Sequence, residues 1–170
     1  MTSSELLIDA LSRVRTVVRS VLEDVPAQAL TFRADPEANT IPWLIWHLTR
    51  VQDEQIATLM GRDQMWSSGG WVDRFDLSFD PAATGYGQGA HDVGAVRADA
   101  GLLAGYYEAV HARTEAYVRD LTDADLAEVV DATWNPPVTR AVRLVSTVSD
   151  DLQHAGQAAY VRGLARRAGS

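Results

Sequence analysis

His47 in the run WLIWHL and His154 in SDDLQHAGQ each lie inside a helical apolar pattern, and Asp150 precedes the second histidine by four residues. On an α-helix an i,i+4 pair shares a face, so the Asp150 carboxylate and the His154 imidazole stand side by side and point the same way. If the helix carrying His47 packs alongside, three ligand heads meet. Two neutral imidazoles and a carboxylate suit a borderline divalent cation, zinc first, with nickel, iron or manganese as the other choices. Three protein ligands leave at least one position for water or substrate, the arrangement of a catalytic site rather than a structural one.

Each residue also has a plainer explanation. His47 sits between Leu44 and Val51 on a face otherwise apolar, where a lone histidine is most often a core residue satisfied by one hydrogen bond. An i,i+4 Asp–His pair is as often an ordinary exposed pair as a ligand pair. Asp151 competes with Asp150, because i,i+3 also shares a face. The reading adopted is Asp150 as ligand, with Asp151 as an acceptor that orients an imidazole.

Four long helices must position these groups. Leu6, Leu7, Ala10, Leu11, Val14, Val17, Val18, Val21 and Leu22 recur at spacings of three and four and predict a first helix, capped by Ser3 or Ser4 and ended by Pro26. Residues 26–40 read as a connection whose Thr40 caps a second helix over about 41–61, with Pro42 tolerated in its first turn. From Gly61 to His91 the periodicity is lost. Glycines 69, 70, 85, 87 and 89 alternate with Trp66, Trp71, Phe75, Phe79 and Tyr86, predicting a long loop whose rings either line a pocket or close the end of the core. A third helix is predicted over about 92–120, then a short turn with Thr122 as N-cap and Asp125 completing a capping box. The fourth, over about 139–167, aligns Ala141, Leu144, Val148, Leu152, Ala155 and Ala159 as its core stripe. At about 100° per residue, Asp150 and His154 flank that stripe rather than fill it. Along the same flank lie Arg143, Thr147 and Gln157. Arg143 and Gln157, with Arg74 in the long loop, are the candidate substrate-binding residues. With no alternating strand pattern and no internal repeat, the expectation is an all-α four-helix bundle in a single domain over residues 1–170.

Composition excludes several partners. The chain has 170 residues, 46% of them hydrophobic, enough for one sizeable core. Fifteen basic against 23 acidic side chains leave a net charge of −8, which repels phosphate backbones and anionic membrane surfaces. Nucleic acid and membrane are therefore not expected partners. There is no cysteine, so any thiol in the chemistry must arrive as a substrate. The start MTSSELLIDALSRVR lacks a basic segment before an apolar stretch, and no apolar run approaches a membrane span, so a cytoplasmic location is expected.

NTIPWLIWHLTRVQDEQIATLMG followed far downstream by RLVSTVSDDLQHAGQAAYVRGL resembles the DinB-like superfamily of metal-binding four-helix proteins, and specifically its mycothiol-dependent transferase branch. WVDRFD, TGYG and NPPVTR extend the resemblance over almost the whole chain. The resemblance implies a metal held by His47, Asp150 and His154, with Asp150 shorter than the glutamate often found at that place. It also implies a homodimer and a metal-dependent transfer in which a small thiol such as mycothiol, ionised beside the cation, attacks an electrophilic co-substrate. Two other readings stay open: a metal-dependent hydrolase of a small substrate, and a non-enzymatic, stress-related metal-binding module.

Overall fold

The computed structural model describes residues 1–169. Thr2 starts α1 (Ser3–Leu22) with a capping box, its hydroxyl accepting from the Glu5 N–H while the Glu5 carboxylate accepts from the Thr2 N–H. The cap therefore lies one residue before the expected serines, because Ser4 is turned inward to donate to the Leu121 carbonyl. After the short α2 (Ala27–Thr31), Thr40 caps α3 (Ile41–Met60), and Gly61 ends it in the left-handed conformation at φ 61°. Every residue from Thr40 to Arg50 is buried, so the first half of α3 is the central rod of the molecule rather than an amphipathic surface helix.

The segment expected as one long loop contains three short helices, α4 (Met65–Ser68), α5 (Trp71–Phe75) and α6 (Ala90–Ala95). Trp66, Trp71 and Phe75 are buried in the main core, so these rings close the end of the bundle. The third helix is split rather than continuous over 92–120. The chain leaves α6 at Val96, and Asp99 accepts from the Leu102 N–H to start α7 (Ala100–Arg119) afresh. Thr122 and Asp125 form the expected capping box on α8 (Asp123–Ala127).

Two strands that periodicity gave no sign of follow, β1 (Val129–Asp131) and β2 (Val138–Thr139). They form an antiparallel hairpin with an irregular register, too short for an alternating pattern to register. Thr139 then caps α9 (Arg140–Ala168).

The result is mostly helical. α1 and α3 each pack against both α7 and α9, and the core runs between them through Val14, Val18, Leu44, Leu48, Leu103, Tyr107 and Ala155. α3 and α9 are antiparallel: Gln55 meets Arg143 at one end, and His47 meets Asp150 and His154 farther along. The buried face of α9 is Leu144, Thr147, Asp151, Ala155, Ala158, Val161 and Ala165, rotated from the stripe expected around Val148. Leu152 is half exposed and Ala159 faces solvent. Alanines at 155, 158 and 165 let the backbone of α9 come close to its neighbours. This rotation carries Asp150 and His154 nearer the core edge than the stripe predicts. Among the described residues no helix is long and apolar enough to cross a membrane.

Candidate metal centre

α3 brings His47 and α9 brings Asp150 and His154 to one place, where one ligand atom from each lies within 4.8 Å of the others. On α9 the helical spacing sets Asp150 Oδ1 3.6 Å from His154 Nε2. Ligands sharing a cation at zinc-like bond lengths are about 3.4 Å apart in a tetrahedral shell, so the Asp150–His154 edge already has the right span, and His47 offers its ligand atom within 4.8 Å of both.

Both imidazoles are oriented from behind. His47 Nδ1 is 2.5 Å from the Thr84 carbonyl oxygen. A carbonyl can only accept, so Nδ1 carries the proton and the lone pair is on Nε2. His154 Nδ1 pairs with Gln157 Oε1 at 3.1 Å, which likewise leaves Nε2 for the cluster. Trp43 stacks on the His47 ring at 4.7 Å and meets His154 edge-on at 6.3 Å, walling the two rings off from the core side. On the carboxylate, Oδ2 of Asp150 is shielded from solvent and has no hydrogen-bond partner. A charged oxygen left bare beside two imidazole lone pairs is costly unless a cation satisfies it. The donor set and this orphaned oxygen fit a divalent metal.

Electrostatics separates the two histidines. Burial pushes the His47 pKa below the ordinary imidazole value, against the opposing pull of the Thr84 carbonyl, so His47 is neutral and ready to ligate. His154 is shifted upward by its hydrogen bond to Asp150, which outweighs its own burial. Of the two imidazoles, His154 is therefore the one that takes up a proton more readily.

The carbonyl that fixes His47 belongs to the long connection between α3 and α7. It reaches the ring only because Gly85 follows: a Cβ at position 85 would lie 2.6 Å from His47 Nδ1, and the backbone there has φ 100°, closed to side chains on both counts. Gln88 then accepts a hydrogen bond from Trp43 Nε1 at 2.8 Å. The sequence flagged the glycines of TGYG but not this contact. Trp43 was within reach of helical spacing, since it is i,i+4 from His47.

The other candidates lie elsewhere or act differently. Asp151 is fully buried on the core side of α9 with both oxygens unpartnered. It does not orient an imidazole; at 100° per residue it is turned away from the face that Asp150 uses. Burial, and next the charge of Asp150, drive its pKa well above the carboxylate range. Gln157 is at the centre but holds His154. Arg143 donates to Gln55 and Asp131 and lines a cleft of about 470 Å³ beside the hairpin, some 16 Å along α9 from His154 at the helical rise. Arg74 stacks over the Trp71 ring at 3.9 Å.

The mostly helical fold thus brings His47, Asp150 and His154 into a group that could hold a divalent metal between α3 and α9. The sequence model of the DinB superfamily matches residues 10–158, and the chain belongs to that superfamily, whose members in general bind divalent metals. Among solved structures it is similar to a conserved protein from Enterococcus faecalis, with 31% identity, a TM-score of 0.88, and coverage of 95% of this chain and 96% of that one. No curated protein matches the chain.

Proposed function

We propose that this protein is a metal-dependent transferase that uses a low-molecular-weight thiol, mycothiol or a close analogue, as nucleophile on an electrophilic small molecule. The observation that carries the reading is the convergence of three ligand heads at a half-exposed edge, in a chain with no thiol of its own. His47, Asp150 and His154 would hold the metal, with zinc the first choice from the donor set. A divalent cation bound there supplies the Lewis acidity that favours the thiolate form of an incoming thiol at neutral pH.

The chain's own residues do the rest. Thr84 and Gln157 fix the ring orientations, Trp43 keeps water from the inner side of both imidazoles, and the outer side stays open to reactants. In the transfer the thiol proton passes to solvent. The sulfur then forms a bond to the electrophilic carbon as the bond to the leaving group breaks, and the leaving group carries the electron pair away. The fold is proposed as a four-helix bundle of the DinB-like kind in one domain. It acts in the cytoplasm as a homodimer, joined through the exposed Val145, Leu152 and Tyr160 of α9; light scattering tests the dimer.

The activity is tested with zinc-loaded protein, mycothiol and 1-chloro-2,4-dinitrobenzene. Conjugation that requires both metal and thiol, and that is lost in His154→Ala with helical circular dichroism intact, is the expected result. Full activity of His154→Ala, or turnover of ester panels without thiol, contradicts it; the latter is the behaviour of a hydrolase.

A further inference from the structure

Arg50, one turn beyond His47 on α3, is a buried cation whose hydrogen bonds all go to neutral groups. Only 1% of its surface is exposed. Its Nε donates to the Ala83 carbonyl at 3.3 Å and its Nη1 to Gln64 Oε1 at 2.6 Å, and the guanidinium lies 4.8 Å from the centre of the Trp66 ring. Among the described residues no Asp or Glu forms an ion pair with it. Asp53, one turn further along α3, is taken up by the N–H groups of Met65 and Trp66 and by the Tyr106 hydroxyl, and the cation it meets is Arg113 at 4.0 Å. Arg50 lines a cleft of about 590 Å³ between the C-terminal half of α3 and the long connection. Trp66, Val72 and Pro81 supply apolar walls. Arg62 adds a second, exposed guanidinium, and Gln64, its oxygen spent on Arg50, keeps its amide N–H groups as donors. Asp63, also exposed, is the one acid of the lining.

We infer that this cleft is a second ligand site, for a small organic molecule with a carboxylate or phosphate group, its oxyanion held by Arg50 and Arg62 and its apolar body set against Trp66 and Val72. A buried charge is costly when only neutral groups face it, and an anion at its edge offsets that cost. A guanidinium takes two oxygens of a carboxylate or phosphate in one planar fork, which fits an oxyanion better than a simple halide. The volume is that of an ordinary small-molecule site. The chain's net charge of −8 repels anions from its surface at large, so two guanidinium groups against a single exposed acid make this cleft a local exception. It is also separate from the metal centre. The Ala83 carbonyl holds Arg50 while the next carbonyl along the chain, that of Thr84, holds His47 on the side of the ring away from its free Nε2. The inference therefore stands whether or not a metal binds.

The test titrates the full chain with benzoate and, separately, with inorganic phosphate, read by isothermal titration calorimetry. Saturable binding of at least one of them, one per chain, is expected. Arg50→Lys, which keeps the charge and loses the fork, is expected to weaken it about tenfold, and Arg62→Gln about threefold, with helical circular dichroism unchanged. Benzoate alone binding supports a carboxylate ligand, and phosphate alone a phosphorylated one. Should Arg50→Lys fail to fold, Arg62→Gln on the exposed side of the cleft decides by itself. No binding of either anion by the folded parent overturns the site. Unchanged affinity in either folded variant also overturns it, since the anion then sits elsewhere, a cation at His47, Asp150 and His154 included.

Discussion

Two polar clusters lie under two turns apart on α3, and they end in opposite ways. The Asp53 carboxylate is buried and fully used: it accepts from the N–H groups of Met65 and Trp66 at 2.8 and 2.7 Å and from the Tyr106 hydroxyl at 2.9 Å, with Arg113 at 4.0 Å. Nothing is left for a ligand. That cluster ties the start of the long connection to the central helix, and burial together with the Asp53 charge raises the Tyr106 pKa well above its ordinary value. One and a half turns earlier, His47 has spent only its Nδ1, on Thr84. With Asp150 Oδ2 and the Nε2 of His154 it forms a set of acceptors with no donor among them other than a proton. A buried charge saturated by hydrogen bonds serves the fold, and a converging set of unspent lone pairs at a half-open edge serves a cation.

Substitutions sharpen that contrast, the largest effect coming from the saturated cluster. Asp53→Ala strands two backbone donors and the Tyr106 hydroxyl, and is expected to lower stability by about 3–5 kcal/mol in a denaturant titration. A loss below about 1 kcal/mol would show that the network is not structural. At the unsaturated cluster, Gln157→Leu is expected to leave stability nearly unchanged while weakening metal affinity about 10–100-fold, because His154 loses its orienting partner. Unaltered affinity would leave Gln157 without that role.

The pH dependence follows from the two opposite imidazole shifts. His47 is depressed and already neutral, so cation binding displaces one proton, from the elevated His154. Metal affinity is expected to fall by about tenfold per pH unit below the raised His154 value and to level off above it. A slope of two protons, or none, in competition titrations between pH 5 and 8 would contradict this assignment. The smallest effect concerns Asp151. Its folded-state pKa lies above the unfolded value, so its contribution to stability is present below the ordinary carboxylate range and is lost as pH rises toward the folded value. Asp151→Asn removes that loss, and its midpoint of thermal unfolding is expected to gain on the parent at pH 8 relative to pH 5.

Helical periodicity made much of this legible. The four long helices and the caps at Thr40 and Thr122 follow from local spacing and end chemistry, and the i,i+4 rule set Asp150 beside His154. What escaped the sequence was set by the tertiary partners. Leu152 fits the predicted stripe of α9 but stands half exposed, because the face in contact with α1 and α3 is the one through Ala155 and Ala158. Asp151 occupies that face although it is charged, and no pattern of apolar residues would assign it there. The strands at 129–131 and 138–139 are too short to show alternation. Thr84 acts through its carbonyl oxygen, a group every residue carries, so only the neighbouring glycine pointed to it.

The central claim is that residues 47, 150 and 154 share one divalent cation. Elemental analysis of protein refolded with equimolar zinc, after gel filtration, tests it directly when parent and His154→Ala are compared. One zinc per chain in the parent and less than about a tenth of that in the variant, with matching helical circular dichroism, is the predicted result. Equal zinc in both, or none in the parent, would contradict it.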